Sequence, residues 1–287
     1  MLIVCVLIIG YCSYIYCGSA FISYSVHRCA DEAGWYYRTG GTIMNFWVPT
    51  QVVSHQNQRP STNKSPMVLI HGFFADGILT WLFQVLGLTR NYAVYVPDLL
   101  FFGDSITGRP ERTADFQAEC LAKGLMKLGV ERCSVVGFSY GGMIAFKLAR
   151  LYPDLVESMI VFGSVPDSTE SNSMATLEKL GFSNWSDILF PETVQGLRRL
   201  LSIGSYSSLF TRFPNFIFKD FLQAMFHSRK ERTELLEAMV VPDQEFTPTA
   251  YSQRIYLLWA NEDNILDLDF SGYESYDVTK SSLFCVA

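Results

Sequence analysis

Short apolar runs recur along the middle of the chain, and several are followed by stretches whose apolar positions fall at helical spacing. Residues 67–74 (MVLIHGFF), 92–99 (YAVYVPDL), 133–137 (CSVVG), 157–165 (ESMIVFGSV) and 254–261 (RIYLLWAN) have the length and β-branched or aromatic content of buried strands. Residues 113–128 place Phe116, Leu121, Leu125 and Leu128 on one helical face. Residues 142–152 do the same with Ile144, Leu148 and Leu151 before Pro153 ends the helix. Residues 42–48 (TIMNFWV) read as a leading edge strand, and the polar stretch 51–66, with Pro60 and Pro66, as the loop into the next one. Strands alternating with helices predict an α/β architecture: a mostly parallel sheet covered by helices on both faces.

The alternation breaks after residue 165. Residues 167–176 (DSTESNSMAT) are polar, and the stretch beyond them is helical and rich in phenylalanine: Phe190, Phe210, Phe213, Phe216, Phe218, Phe221 and Phe226. The strand pattern resumes only at Arg254. Residues 166–251 therefore read as a helical cap inserted into a core made of residues 42–165 and 252–264, with 265–287 as a tail. Rings of this kind suit an acyl chain held between cap and core, and they equally suit a small core of the cap's own.

The first 26 residues contain no charged side chain, and about 20 apolar residues suffice for a helix to cross a bilayer. The expectation is a membrane anchor with a cytosolic body, since the first cations, Arg28 and Arg38, come after the segment. The competing expectation is a cleaved signal peptide with Gly18, Ser19 and Ala20 near the processing site and entry to the secretory pathway.

Composition narrows the partners. The formal charge of −6 and the absence of a basic stripe exclude a nucleic-acid partner. Seven cysteines, an odd number without CxxC spacing, argue against a disulfide framework or a zinc site. Aromatic residues make up 15% of the chain, which suits an apolar binding cavity or a large core. No Gly-rich phosphate loop or metal cluster appears in the pattern, so no cofactor is expected.

The chemistry concentrates at Gly137, Phe138, Ser139, Tyr140 and Gly141, a GxSxG motif between a predicted strand and a predicted helix. A serine on such a turn is held in strained backbone geometry with its hydroxyl presented outward. Glycines two residues to either side remove Cβ atoms that would clash where strand and helix pack. Upstream, the strand at 67–70 ends in His71, Gly72 and Phe73. The N–H groups of Phe73 and of Tyr140, the residue after the serine, are candidates for an oxyanion hole, with His71 packing the loop.

Serine needs an adjacent base, normally a histidine oriented by a carboxylate. Asp263, after the strand at 254–261, is the candidate acid; Glu262 beside it and Asp167 after the preceding strand are the alternatives. The base has no counterpart. The 24 residues after Asp263 contain no histidine, and the four histidines of the chain are His27, His55, His71 and His227. Only His227, late in the cap, is a conceivable substitute base.

Four segments, HGFFADGILTW, VPDLLFFGDS, VVGFSYGGMIAFKLA and LLWANEDNI, resemble successive landmarks of the capped α/β-hydrolases that include the monoacylglycerol-lipase-like serine esterases. The resemblance covers residues 42–264. It implies an α/β-hydrolase fold, Ser139 as nucleophile, Asp263 as acid, Phe73 and Tyr140 as oxyanion donors, and a small apolar ester or lipid as substrate. It also implies that a histidine should come after Asp263, beyond another helix and strand. Residues 266–287 look unlike that ending, so the expectation is a sheet lacking its last strand and an impaired triad. The alternative is a ligand-binding protein that keeps the fold without the chemistry. An epoxide hydrolase on this fold is disfavoured, because the resemblance implies an aspartate where this chain has Ser139.

Overall fold

In the computed structural model the described residues are 26–28, 37–39, 41–49, 64–204, 213–260, 263, 265 and 281–286. Eight strands form the central sheet. They are β1 (Val26–Arg28), β4 (Phe46–Pro49), β5 (Ser65–Ile70), β6 (Tyr92–Pro97), β8 (Cys133–Phe138), β9 (Val156–Phe162), β12 (Arg254–Ala260) and β13 (Ser281–Val286). Their spatial order is β1-β4-β6-β5-β8-β9-β12-β13. Every pairing from β6 to β13 is parallel, and β1 and β4 add antiparallel at one edge. Three short strands, β2 (Tyr37–Thr39), β3 (Thr42–Met44) and β7 (Ile106–Thr107), form a separate small sheet.

Burial on both faces explains the continuous apolar runs. Along β5, Val68 and Ile70 enter one apolar cluster while Met67 and Leu69 enter the other; along β6, Ala93 and Tyr95 oppose Val94 and Val96. The second face is covered by α1 (Gly77–Leu88), which lays Ile78, Trp81 and Val85 on the sheet. The first is covered by α2 (Ala114–Lys127) and α3 (Tyr140–Leu151), whose Leu121, Leu125, Ile144 and Leu148 are fully buried. The helix starts are set locally. Asp76 accepts the Leu79 N–H and Thr113 the Phe116 N–H, satisfying donors that a first turn leaves open.

Between β9 and β12 the chain leaves the sheet. The pair β10 (Ser168–Thr169) and β11 (Val240–Val241) brackets α4 (Glu170–Leu180), α5 (Trp185–Leu189), α6 (Val194–Ile203), α7 (Asn215–Met225) and α8 (Arg229–Glu237). Phe190, Phe218, Phe221 and Phe226 are buried, and Phe216 is exposed. The buried rings belong to the same cluster as Phe73 and the first sheet face, and Phe74 stacks on Phe221 with centroids 4.8 Å apart. They therefore join this segment to the sheet as well as packing it internally. Phe210 lies outside the described residues.

Two expectations are corrected. The sheet does not lack its last strand: β13 pairs parallel with β12 over Ile255↔Ser281 to Ala260↔Val286. Its ladder partner, β12, lies more than twenty positions earlier in the chain, and that pairing cannot be read from residues 266–287 alone, which is why the tail did not read as a strand. The membrane anchor, and with it the membrane-bound location, is not supported. Among the described residues no helix is long and apolar enough to cross a membrane, and Val26, the last residue of the uncharged stretch, opens β1 against β4. Residues 1–25 lie outside the described residues.

Candidate active site

The turn from β8 into α3 carries Ser139 at φ 52° and ψ −123°, one of the few non-glycine residues at positive φ. Such a conformation costs about 1–3 kcal/mol and persists only where its surroundings enforce it. Here they do. The Ser139 N–H donates to the Phe162 carbonyl at the end of β9 (2.9 Å), and the Gly142 N–H donates to the Ser139 carbonyl (2.8 Å). A Cβ on Gly137 would lie 2.7 Å from the Gly141 carbonyl oxygen, and one on Gly141 would lie 2.3 Å from that of His71 and 2.4 Å from that of Ile70. The glycines let α3 start against the ends of β5 and β8, and the serine is left half-buried at their rim.

The loop after β5 meets this turn. Phe73 and Tyr140 are both buried and their rings meet edge to face at 5.7 Å. Tyr140 is the first residue of α3, where backbone N–H groups lack helical partners and the helix dipole favours negative charge. His71 is fully buried. The Leu99 N–H donates to its Nε2 (2.9 Å), so Nδ1 carries the proton and donates to the Gly72 carbonyl at 2.7 Å. Burial lowers its pKa to about 4; the Gly72 bond opposes the shift and the charge of Arg232 adds to it. A neutral ring with both nitrogens engaged is a fixture of the loop, not a free base.

Asp98, missed in the sequence, ties this loop to its neighbours. Its oxygens accept from the Asn45 side chain (2.6 Å) and the Gly77 N–H (2.8 Å), and burial raises its pKa to about 8. The two shifts act in opposite directions on stability. His71 takes up a proton more readily when unfolded, so its contribution falls as pH drops from 6.5 to about 4. Asp98 holds its proton more tightly when folded, so its contribution falls as pH rises from 3.8 towards about 8. Below pH 6.5 the slopes oppose each other. In Asp98→Asn, with the Asn45 amide turned over to accept, the His71 slope is unmasked. Urea unfolding from pH 6.5 to 4 should show the variant losing about 3 kcal/mol more than wild type.

Asp263 comes after β12. Its N–H donates to the Ala260 carbonyl (3.2 Å), its Oδ1 accepts the Ile265 N–H (2.9 Å), and its Oδ2 is 3.3 Å from where a Cβ on Gly163 would stand. Gly163, at φ 46°, directly follows β9, so Ser139 and Asp263 lie beyond the carboxyl ends of the strands on either side of β9. Of the alternative acids, Asp167 is engaged by Lys147 in an ion pair, and Glu262 lies outside the described residues. His227 is exposed just beyond α7, with Nδ1 3.3 Å from the Ala224 carbonyl oxygen. Among the described residues no hydrogen bond joins Ser139 Oγ to a histidine. The side chain of His27 and all of His55 are outside the described structure.

Arg232 is the second residue that reading the sequence missed. It lies inside α8 and is fully buried against Phe73. A signal existed: Arg232, Leu235, Leu236 and Met239 fall at i, i+3, i+4 and i+7, so the arginine sits on the apolar stripe.

The family model for the alpha/beta hydrolase fold matches residues 65–284, and the chain belongs to that family. It is 31% identical over 102 residues to human Epoxide hydrolase 4, covering 34% of this chain and 27% of that one. It is 29% identical over 143 residues to the pimeloyl-[acyl-carrier protein] methyl ester esterase of Aeromonas hydrophila, covering 50% and 54%. The chain thus spans at most about half the length of these curated relatives. Among solved structures, the 2-hydroxy-6-oxo-6-phenylhexa-2,4-dienoate hydrolase of Rhodococcus sp. strain RHA1 superposes with a TM-score of 0.66 at 18% identity, covering 91% of each chain. A membrane phospholipase A described as a bacterial virulence factor does so at 0.67 and 20%, covering 99% of this chain and 88% of that one. These likenesses establish the fold.

Proposed function

We propose that this chain carries the site of a serine carboxylic-ester hydrolase for small apolar or lipid-like esters, with turnover impaired because neither His71 nor His227, the histidines whose side chains are among the described residues, is placed as a base for Ser139. The observation that carries the reading is Ser139 at positive φ, fixed by Phe162 and by glycines with no room for a side chain. Ser139 is the nucleophile in this reading. The N–H groups of Phe73 and Tyr140 receive the oxyanion, a role in which one donor contributes about 3–4 kcal/mol. Asp263 is the acid, and residues 166–251 are the cap that supplies apolar walls. The esterase and hydrolase names among the relatives support the ester class; the epoxide hydrolase likeness is weighed against Ser139 at the elbow.

One observation favours a second reading, a ligand-binding protein without turnover. His71 is locked in its loop and His227 is exposed on the surface. Hydrolysis of a short-chain nitrophenyl ester separates the two. Slow turnover that disappears in Ser139→Ala and survives His227→Ala is expected, and turnover indifferent to Ser139→Ala would sink the esterase reading. Ser139→Gly adds a test of the strain: it should abolish the same turnover while raising the unfolding free energy by about 1–3 kcal/mol, since glycine relieves the positive φ.

A further inference from the structure

Among its described residues the helical segment sends one charged side chain into the molecular interior. Arg232 has no solvent exposure, and its guanidinium lies 4.0 Å from the ring centroid of Phe102, 4.5 Å from Phe190, 4.9 Å from Phe73 and 5.6 Å from Phe226. Among the described residues it forms no ion pair and its Nε has no partner. A buried charge without an ion pair is costly, and Asp76 favours it only through space, so its two remaining bonds identify its task. Nη1 donates to the Met225 carbonyl at the end of α7 (2.5 Å). Nη2 donates to the Phe73 carbonyl, in the loop after β5 (2.6 Å).

That second bond matters because of its neighbour. The Gly72 carbonyl accepts from His71 Nδ1, and it belongs to the same planar peptide as the Phe73 N–H. The Phe73 carbonyl belongs to the next peptide. Two successive peptide planes are thus held at their oxygens, one by the core through His71 and one by the helical segment through Arg232. With both planes held, the direction of the Phe73 N–H is fixed. A guanidinium suits this bridge because its rigid fork reaches two carbonyls at once with charge-assisted bonds, which a single ammonium point charge does less well.

We propose that Arg232 is a positioning residue through which the helical segment holds the Phe73 peptide in register with Ser139. The proposal rests on the reading of the Phe73 N–H as an oxyanion donor.

The test uses the full chain as wild type, Arg232→Met and Arg232→Lys, with two readouts. Amide hydrogen exchange over residues 71–76 should quicken about tenfold or more in Arg232→Met and less in Arg232→Lys, while β8 and α2 keep their protection. Affinity for octylboronic acid, which forms a tetrahedral adduct on a serine, should fall about tenfold in Arg232→Met, while affinity for octanol is unchanged. Unchanged exchange at 71–76, quickening spread evenly through β8 and α2, or a boronate affinity equal to wild type would each overturn the proposal. If Arg232→Met does not fold, Arg232→Lys is read against wild type by the same criteria. Equal boronate binding by wild type and Ser139→Ala would instead defeat the serine reading, and the exchange result would still decide whether Arg232 holds the loop.

Discussion

Joining a histidine-bearing loop directly after β13 is expected to raise Ser139-dependent ester hydrolysis by about three to six orders of magnitude. Loss of the base from a serine triad costs on the order of a million-fold in turnover, and the oxyanion hole with binding alone retains about a thousand-fold or more over water. The site offers the loop a defined place. β13 runs parallel to β12 with Val286 opposite Ala260, so its end lies at the same edge of the sheet as Asp263, three residues past Ala260. Nitrophenyl-ester turnover would be compared among the native chain, the extended chain, and the extended chain carrying Ser139→Ala or Asp263→Asn. A gain lost in both variants supports the proposed roles. No gain in a folded extended chain would show that the elbow, the oxyanion loop or the acid is not competent as read.

The second large effect is on folding. Gly141→Ala is expected to destabilise the chain by about 4 kcal/mol or more, or to prevent folding, because its Cβ would stand 2.3 and 2.4 Å from two backbone carbonyl oxygens, His71 and Ile70. Neither can retreat cheaply: Ile70 is laddered to Gly137 in β5, and His71 is bonded at both ring nitrogens. Gly87→Ala in α1 is the control. Nothing lies within 4 Å of its Cβ position, so the same chemical change should stabilise by about 0.4–1 kcal/mol through the unfolded chain. Denaturant unfolding of the two variants measures the contrast directly. A Gly141→Ala chain as stable as wild type would mean that the helix does not start against β5 as described.

Gly141 is required by the packing of the fold itself, whereas the strain at Ser139 and the buried charge of Arg232 are not explained by stability alone. Strain and buried charge held in place by a surrounding core are what a positioned reactive group requires. They stand beside a site whose His71 is engaged in its loop and whose His227 is exposed, and the ester-turnover and boronate experiments test what that site can still do.

The residues alone were enough to lay out the five consecutive parallel strands β6, β5, β8, β9 and β12, the strand-to-helix turn at Ser139 and the order of the landmarks. Strands buried on both faces must be apolar throughout, helices on the sheet must show a stripe, and the strand-to-helix turn must carry glycines where backbones touch. Each of these constraints is local and leaves a mark in the residues themselves. Long-range pairing in the folded chain supplied the remainder. β13 exists because β12 offers it a ladder, and no periodicity within residues 281–286 was needed. Val26 to Arg28 pair with β4, which residues 1–25 gave no means to foresee. His71 is a neutral fixture because Leu99 and Gly72 occupy its nitrogens, and Arg232 is buried because rings from Phe73 to Phe226 close round it. These last features depend on partners up to 159 positions away, and pairings at that distance are made only when the chain folds.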